Sequence, residues 1–392
     1  MLGEGIPVRL SFSRRRFAAV AACVVAAAGG ALAAPAAATP DAAFIVVLKD
    51  DVASPAVVAE QHRRAHSADV SHTYSAAIKG YAARLSSGGL AAVVRDHRVA
   101  YVERDGIATA SVTTQSGATW GLDRIDQRSG TDGTFSYSAT GAGVTAYVVD
   151  TGIRSTHADL RGRVTPGYDA FGGTSEDCNG HGTHVAGTVG GTTYGVAKSV
   201  TLVAVRVLDC NGSGSWSGVI AGLDWVAAHH TTGPAVANLS LGGGANTAVD
   251  DAVKKVIADG VSTSVAAGNG NQGGKEQDAC KYSPARVPEA ITIGATDKAD
   301  KKTTWSNYGS CVDFFAPGAS ITSAWHTGDT ATNTISGTSM AAPHAAGVAA
   351  LHLQGSSTDT PQQVRDALHA LTTKGIVTSS KTASNHLLFT SY

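Results

Sequence analysis

Val144-Thr145-Ala146-Tyr147-Val148-Val149-Asp150-Thr151-Gly152 is the stretch on which the reading of the architecture turns. A short apolar run ends abruptly in a carboxylate and a turn glycine. Such runs mark strands buried on both faces. An Asp at the end of a buried strand costs desolvation unless it has a partner. Capping the next turn is the plainer use for it.

Outward from this run the pattern repeats. Leu202–Val207, Val236–Leu241, Val261–Ala267 and Ala290–Ile293 are further buried-strand candidates. Helix-length segments, Trp216–Ala228 and Thr247–Ala258, lie between them. Strand–helix–strand alternation predicts an α/β fold from Trp120 onward: a doubly wound, mostly parallel sheet with helices on both faces. Such sheets carry function at the carboxyl ends of their strands.

Residues 42–110 read differently. Phe44–Leu48, Gly80–Leu85 and Ala100–Val102 suit strands, and Pro55–Ala65 and Leu90–Arg95 suit helices, with room for one more strand near Tyr74. That order predicts a small ferredoxin-like α+β unit. Thr109–Thr119 is small and polar, which predicts a linker.

Ahead of both units, Arg14, Arg15 and Arg16 precede the apolar stretch Phe17–Leu32, and Ala31-Leu32-Ala33 makes a small-residue cleavage site. This is the pattern of a secretory signal peptide over residues 1–33, with Sec and twin-arginine export both open. Val20-Ala21-Ala22-Cys23 resembles a lipoprotein box, but the apolar run before it is short. Without Cys23 four cysteines remain, Cys178, Cys210, Cys280 and Cys311. An even number in an exported chain suggests two disulfides, and three pairings are open.

The chain's 392 residues, 43% hydrophobic and 16% charged, exclude wholesale disorder. A net charge of −1 excludes a strong nucleic-acid footprint. No solenoid or propeller repeat occurs.

Two further blocks carry chemistry. In Asn179-Gly180-His181-Gly182-Thr183-His184-Val185-Ala186-Gly187 the glycines let other backbone approach His181. His181 and His184 are three apart with no Glu between, so the zincin pattern H-E-x-x-H fails, and His184 reads as a packed helix histidine. In Ser336-Gly337-Thr338-Ser339-Met340-Ala341-Ala342-Pro343-His344, Ser339 sits where an Ala-rich helix begins, near free backbone N–H groups. A simple N-cap is the alternative. Ala341 occupies the last glycine position of a G-x-S-x-G elbow, so an α/β-hydrolase nucleophile is excluded.

Asp150, His181 and Ser339 in that order, each in a glycine-flanked block, resemble the three signatures of the subtilisin-type serine proteases, the subtilases. Within them the chain is similar to the proteinase K branch and its aqualysin type, notably in Trp120–Gln127, Ser240-Leu241-Gly242-Gly243-Gly244 and Asn307–Cys311. Gly80–Leu85 and Ala100–Asp105 resemble that family's inhibitory propeptide. The resemblance implies a signal peptide 1–33, an inhibitory propeptide 34–112 and a protease domain 113–392.

It further implies the roles. Ser339 is the nucleophile, His181 the general base and Asp150 its orienting partner. Asn269 and the Ser339 N–H are the oxyanion donors. Gly212-Ser213-Gly214 and Ser240-Leu241-Gly242 clamp an extended peptide, and Ala266-Ala267-Gly268 forms a wall of the P1 pocket. Small uncharged walls favour apolar or aromatic P1 residues. The implied disulfides are Cys178–Cys210 and Cys280–Cys311. Structural calcium is implied on the Asp297 carboxylate with the Pro288 and Ala290 carbonyls, and a second ion on Asp123, Asp126 and Gln127, where the loop Ser129–Ser138 departs from the aqualysin pattern. No catalytic cofactor is expected. Expected partners are polypeptide substrates and the chain's own propeptide, with no nucleic acid and no stable membrane association, in a secreted, extracellular monomer that cuts itself near Val112 and Thr113. A silent exported peptide-binding pseudoprotease is the alternative, and the intact Asp150, His181, Ser339 and Asn269 argue against it.

Overall fold

The computed structural model describes residues 42–106, 112–271 and 273–392. They fall into two units, one up to residue 106 and one from 112. The signal-peptide reading of 1–33, Cys23 and the first three residues of the expected linker, 109–111, lie outside the described residues.

The first unit runs β1 (Ala42–Leu48), α1 (Pro55–His66), β2 (Asp69–Tyr74), β3 (Gly80–Leu85), α2 (Ser87–Val93), β4 (Val99–Arg104). Its antiparallel sheet has the order β2-β3-β1-β4, the ferredoxin-like arrangement. Pro55 opens α1, where its missing N–H costs nothing. Val46, Leu48, Val58, Tyr81, Leu85 and Val93 form its core.

The second unit begins with β5 (Thr113–Ser116), α3 (Trp120–Ile125), β6 (Thr134–Tyr137), β7 (Thr145–Asp150), β8 (Val164–Asp169), α4 (His181–Gly190), β9 (Thr201–Arg206) and α5 (Trp216–His229). It continues with β10 (Ala235–Leu239), β11 (Gly243–Gly244), α6 (Thr247–Ala258), β12 (Val261–Ala266), β13 (Tyr282–Ser283), β14 (Ile291–Thr296), β15 (Phe314–Pro317), β16 (Ile321–Ala324), β17 (Thr332–Ile335), α7 (Thr338–Gly355) and α8 (Pro361–Leu371). Seven strands pair in parallel in the order β15-β14-β12-β10-β7-β9-β8.

Side chains of β7 alternate between two cores, as the pleat requires. Ala146 and Val148 join residues of α4 and α7, whereas Tyr147 and Val149 join Val219 and Leu223 of α5 and Val253 of α6. Helices therefore cover both faces. Ser215 and Asn246 cap α5 and α6, accepting the Gly218 and Val249 N–H groups at 3.1 Å each.

The expected linker needs correction. Within it, Thr113–Ser116 is a strand paired with Thr134–Tyr137, inside the expected loop 129–138. Small polar residues suffice in 113–116 because that strand is largely exposed, whereas its partner buries Phe135 in the core. Strands β8 and β15 are sheet edges, and β8 contains Pro166 and Gly167. Proline belongs on edges, and it hides the strand from an apolar-run search.

Both disulfides form with the implied pairing, Cys178–Cys210 and Cys280–Cys311. Their sequence separations are 32 and 31, for which loop-closure entropy stabilises the fold by roughly 3–4 kcal/mol each. Replacing Cys280 and Cys311 together by Ser should lower the thermal transition by about 10 °C. Calorimetry of the inhibitor-blocked protein checks this, and an unchanged transition would show that the link adds nothing to stability.

Candidate active site

The sheet's strand order diverges on either side of β7, with β10 on one side and β9 on the other. Crevices at the carboxyl ends of such strands bind ligands. Asp150 ends β7, Ser240 follows β10, Asn269 follows β12, and His181 opens α4.

Asp150 is fully buried. Its Oδ1 accepts the Thr151 N–H and the His181 Nδ1–H, both at 2.8 Å. A carboxylate only accepts, so this bond fixes the tautomer that leaves Nε2 as the free base. The approach depends on glycine. A Cβ at Gly182 would sit 2.1 Å from the Gly152 carbonyl oxygen, and one at Gly152, whose φ is +103°, would sit 2.6 Å from the Ser175 carbonyl oxygen.

Asp177 was not among the expected site residues. One of its oxygens accepts from Thr151 Oγ1, Asn179 N and Gly180 N at 2.9 Å each, and the other from Thr183 N at 2.9 Å and Thr183 Oγ1. Thr151 adjoins Asp150, and Thr183 lies in the first turn of α4. Asp177 therefore ties the strand end to the helix start. An Asp just ahead of a helical run is the sequence signal that could have found it.

Burial works against a charged His181 imidazole. The Asp150 charge and hydrogen bond, with the Asp177 charge, outweigh it and leave its pKa raised above the usual 6.5. His184, three residues on, is buried with Nε2 donating to the Ile321 carbonyl at 2.9 Å. Burial pushes its pKa down to about 4, so it is a neutral packed histidine, as its spacing suggested.

Ser339 is the second residue of α7, where the N–H has no carbonyl partner in the helix. Its Oγ–H donates to the Ser240 carbonyl at 2.9 Å. Asn269 Oδ1 accepts the Thr338 N–H and Oγ1–H, both at 2.8 Å. Those bonds orient the amide and leave Nδ2 as an available donor.

His181, Ser339 and Asn269 line one cleft of ≈ 730 Å³. Every residue expected to bind substrate lines it too: Gly212, Ser213 and Gly214 on one side, Ser240, Leu241 and Gly242 on another, and Ala266, Ala267 and Gly268 as a wall. Trp216 and Tyr282, not anticipated from sequence, add aromatic surface.

The expected calcium ligands fare unevenly. Pro288 and Ala290 precede β14 and Asp297 follows it. Seven residues of near-extended chain span about 20 Å, far beyond one ion's reach. The Asp297 carboxylate instead accepts the Ala299 and Lys301 N–H groups of its own turn at 2.9 and 3.1 Å. That site is not assembled. The second set is closer to a site. Asp123 accepts from Asp132 N and Gly133 N at 2.8 and 3.0 Å, with Gln127 Nε2 at 3.4 Å. Asp126 Oδ1 is buried without a partner, and burial raises that carboxyl to about 6. Among the described residues no three His, Cys, Asp or Glu side chains converge as metal ligands.

The profile of the Subtilase family matches residues 141–388, and that of Peptidase inhibitor I9 matches residues 43–111. An extracellular serine proteinase of Thermus sp. (strain Rt41A) is 58% identical over 329 residues, 83% of this chain and 78% of the relative. Alkaline serine exoprotease A of Vibrio alginolyticus is 50% identical over 83% of this chain and 61% of its own length. The crystal structure of a cold-adapted subtilisin-like serine proteinase superposes with a TM-score of 0.67 at 52% identity, covering 70% of this chain and 98% of that one.

The His181 imidazole should titrate with a midpoint above 6.5, and Asp177→Asn should move it down, because a neighbouring negative charge favours the charged imidazolium. NMR of ¹³C-labelled histidine reads both midpoints. An unmoved midpoint would mean that the Asp177 charge does not reach the ring.

Proposed function

Because the chain belongs to the subtilase family of serine endopeptidases and carries an I9 inhibitor unit ahead of its protease domain, we propose that it cleaves peptide bonds through Ser339, His181 and Asp150, and that it is made as a self-cleaving secreted precursor. One observation carries this reading: a histidine paired at 2.8 Å with a buried carboxylate faces the same cleft as a helix-end serine and an oriented amide.

The chemistry follows from the positions. A peptide lies extended between the Gly212–Gly214 and Ser240–Gly242 edges, bonded through its backbone. Ser339 Oγ turns from the Ser240 carbonyl toward His181 Nε2, which takes its proton as Oγ attacks the scissile carbonyl. Asp150 stabilises the imidazolium that results. Asn269 Nδ2 and the Ser339 N–H receive the developing oxyanion. The imidazolium then protonates the leaving amine, and water repeats the sequence on the acyl-enzyme. The Ala266–Gly268 wall offers no charge, which supports a lean toward apolar or aromatic P1 residues over basic ones.

The I9 unit acts as an intramolecular inhibitor. We place self-cleavage near Val112 and Thr113, where Val112 is exposed and β5 begins. Two disulfides suit an oxidising compartment, the relative from Thermus is named extracellular, and no helix among the described residues is long and apolar enough to cross a membrane. Asp123, Asp126 and Gln127 are proposed to hold a structural calcium, which would give the orphaned Asp126 Oδ1 a partner.

Ser339→Ala should abolish fluorophosphonate labelling and accumulate as an uncleaved precursor after signal removal. Normal maturation in a host lacking other proteases would assign the cut to an outside enzyme. Asn269→Ala should fold normally and lower kcat on a peptide amide by about 10²–10³. An unchanged kcat would remove its amide from the oxyanion site.

Added calcium should raise the melting temperature of the wild type and not of Asp126→Asn, since a ligand bound only by the native state stabilises it. Equal responses would show that Asp126 holds no calcium.

A further inference from the structure

Asn307 lies outside the helices and strands and is 1% exposed. Its backbone N–H donates to the Gly268 carbonyl at 2.9 Å, and its side-chain Nδ2 donates to the Ala267 carbonyl at 2.9 Å. Its Oδ1 accepts the Gly270 N–H at 3.0 Å and the Gln277 N–H at 2.9 Å. These bonds grip the chain on both sides of Asn269 and at the arm where the loop returns.

The grip is close and has no slack. A Cβ at Gly268, whose φ is +100°, would sit 2.5 Å from Asn307 Nδ2. The segment carrying Asn307 is itself sewn to the returning arm by Tyr308 N to Gln277 O at 3.0 Å, Ala279 N to Tyr308 O at 2.8 Å and the Cys280–Cys311 disulfide. Thr338 decides which way the Asn269 amide points. Asn307 decides where the backbone bearing it stands.

We propose that Asn307 is a positioning residue that holds the P1-pocket wall Ala267–Gly268 and the oxyanion donor Asn269 in one register, so that P1 choice and oxyanion stabilisation depend on the same buried amide. This rests on the roles assigned above to Asn269 and to the Ala266–Gly268 wall. Losing the grip lets the pocket wall and the donor drift together, and a misplacement of about 1 Å costs about 10²-fold in rate.

The experiment compares wild type, Asn307→Ala and Asn307→Ser on peptide amides differing only in Phe or Ala at P1, with thermal melts and fluorophosphonate titration of active sites. Asn307→Ala should lower kcat for the Phe substrate about 10²-fold and shrink the Phe-to-Ala ratio of kcat/KM. Asn307→Ser keeps a short hydroxyl able to make one of the three side-chain bonds, so its losses should be smaller. If Asn307→Ala does not accumulate folded, Asn307→Ser carries the measurement. A lower melting temperature with kcat and the P1 ratio unchanged would make Asn307 merely structural and overturn the proposal. A wild type that neither labels nor cleaves would overturn the reading of the site itself, and the proposal with it.

Discussion

The contact on which the rest depends is backbone against backbone. The start of α4 lies so close to the turn after β7 that a Cβ at Gly182 would strike the Gly152 carbonyl, and Gly152 itself is packed against the Ser175–Glu176 backbone. Side chains alone could not bring a buried carboxylate and an imidazole to 2.8 Å from two elements 31 residues apart and keep them there. Asp177 then takes five hydrogen bonds from the residues flanking that contact. The pair is thereby set before any substrate arrives, which is how a site avoids reorganising when charge develops.

Ser339, the proposed nucleophile, is held by a related economy in the same cleft. Pro343 lies inside α7 and has no N–H to give the carbonyl four residues back, that of Ser339. Ser240 Oγ–H donates to that carbonyl instead, at 2.7 Å, and Asn238 Nδ2 donates to Ser240 Oγ at 2.8 Å. The helix tolerates the break because it is buried on nearly all sides, so packing and not propensity sustains it. Ser264 Oγ adds a bond to the Ala342 carbonyl at 2.9 Å. The serine is thus referenced to β10 and β12, the strands whose ends also carry the pocket wall and Asn269.

The sequence made the strong strands and the three chemical blocks legible because burial on both faces leaves apolar runs, and because close backbone contacts demand glycine. It hid what depends on distant partners. Edge strand β8 carries Pro166, and β5 is built from Thr113, Thr114, Gln115 and Ser116, so neither has an apolar pattern to read. The four bonds of Asn307 reach residues 30 or more positions away, and a lone Asn in a polar stretch announces none of them. The Asp297 assignment failed for a simpler reason. The resemblance implied that Asp297 meets the Pro288 and Ala290 carbonyls, whereas the strand between them is the most extended form the chain adopts.

Three histidines of the protease domain show how the same fold sets opposite proton affinities. His184 and His344 are buried with a backbone carbonyl as the partner of one ring nitrogen, and burial holds both near 4. His181, partly exposed to the cleft, is also pressed by burial, yet two carboxylates carry it the other way. A histidine whose pKa falls on folding binds more protons in the unfolded chain. Its contribution to stability is therefore present above about 6.5 and is lost as pH falls toward 4, on the order of 3 kcal/mol for each group. As the proposed base His181 works only when neutral, and its pKa is raised above the usual 6.5. On the proposed mechanism acid removes activity by protonating His181, and it removes stability because the unfolded chain takes up protons that the folded His184 and His344 refuse. Both effects work against acid, although they arise from opposite shifts of the same kind of side chain.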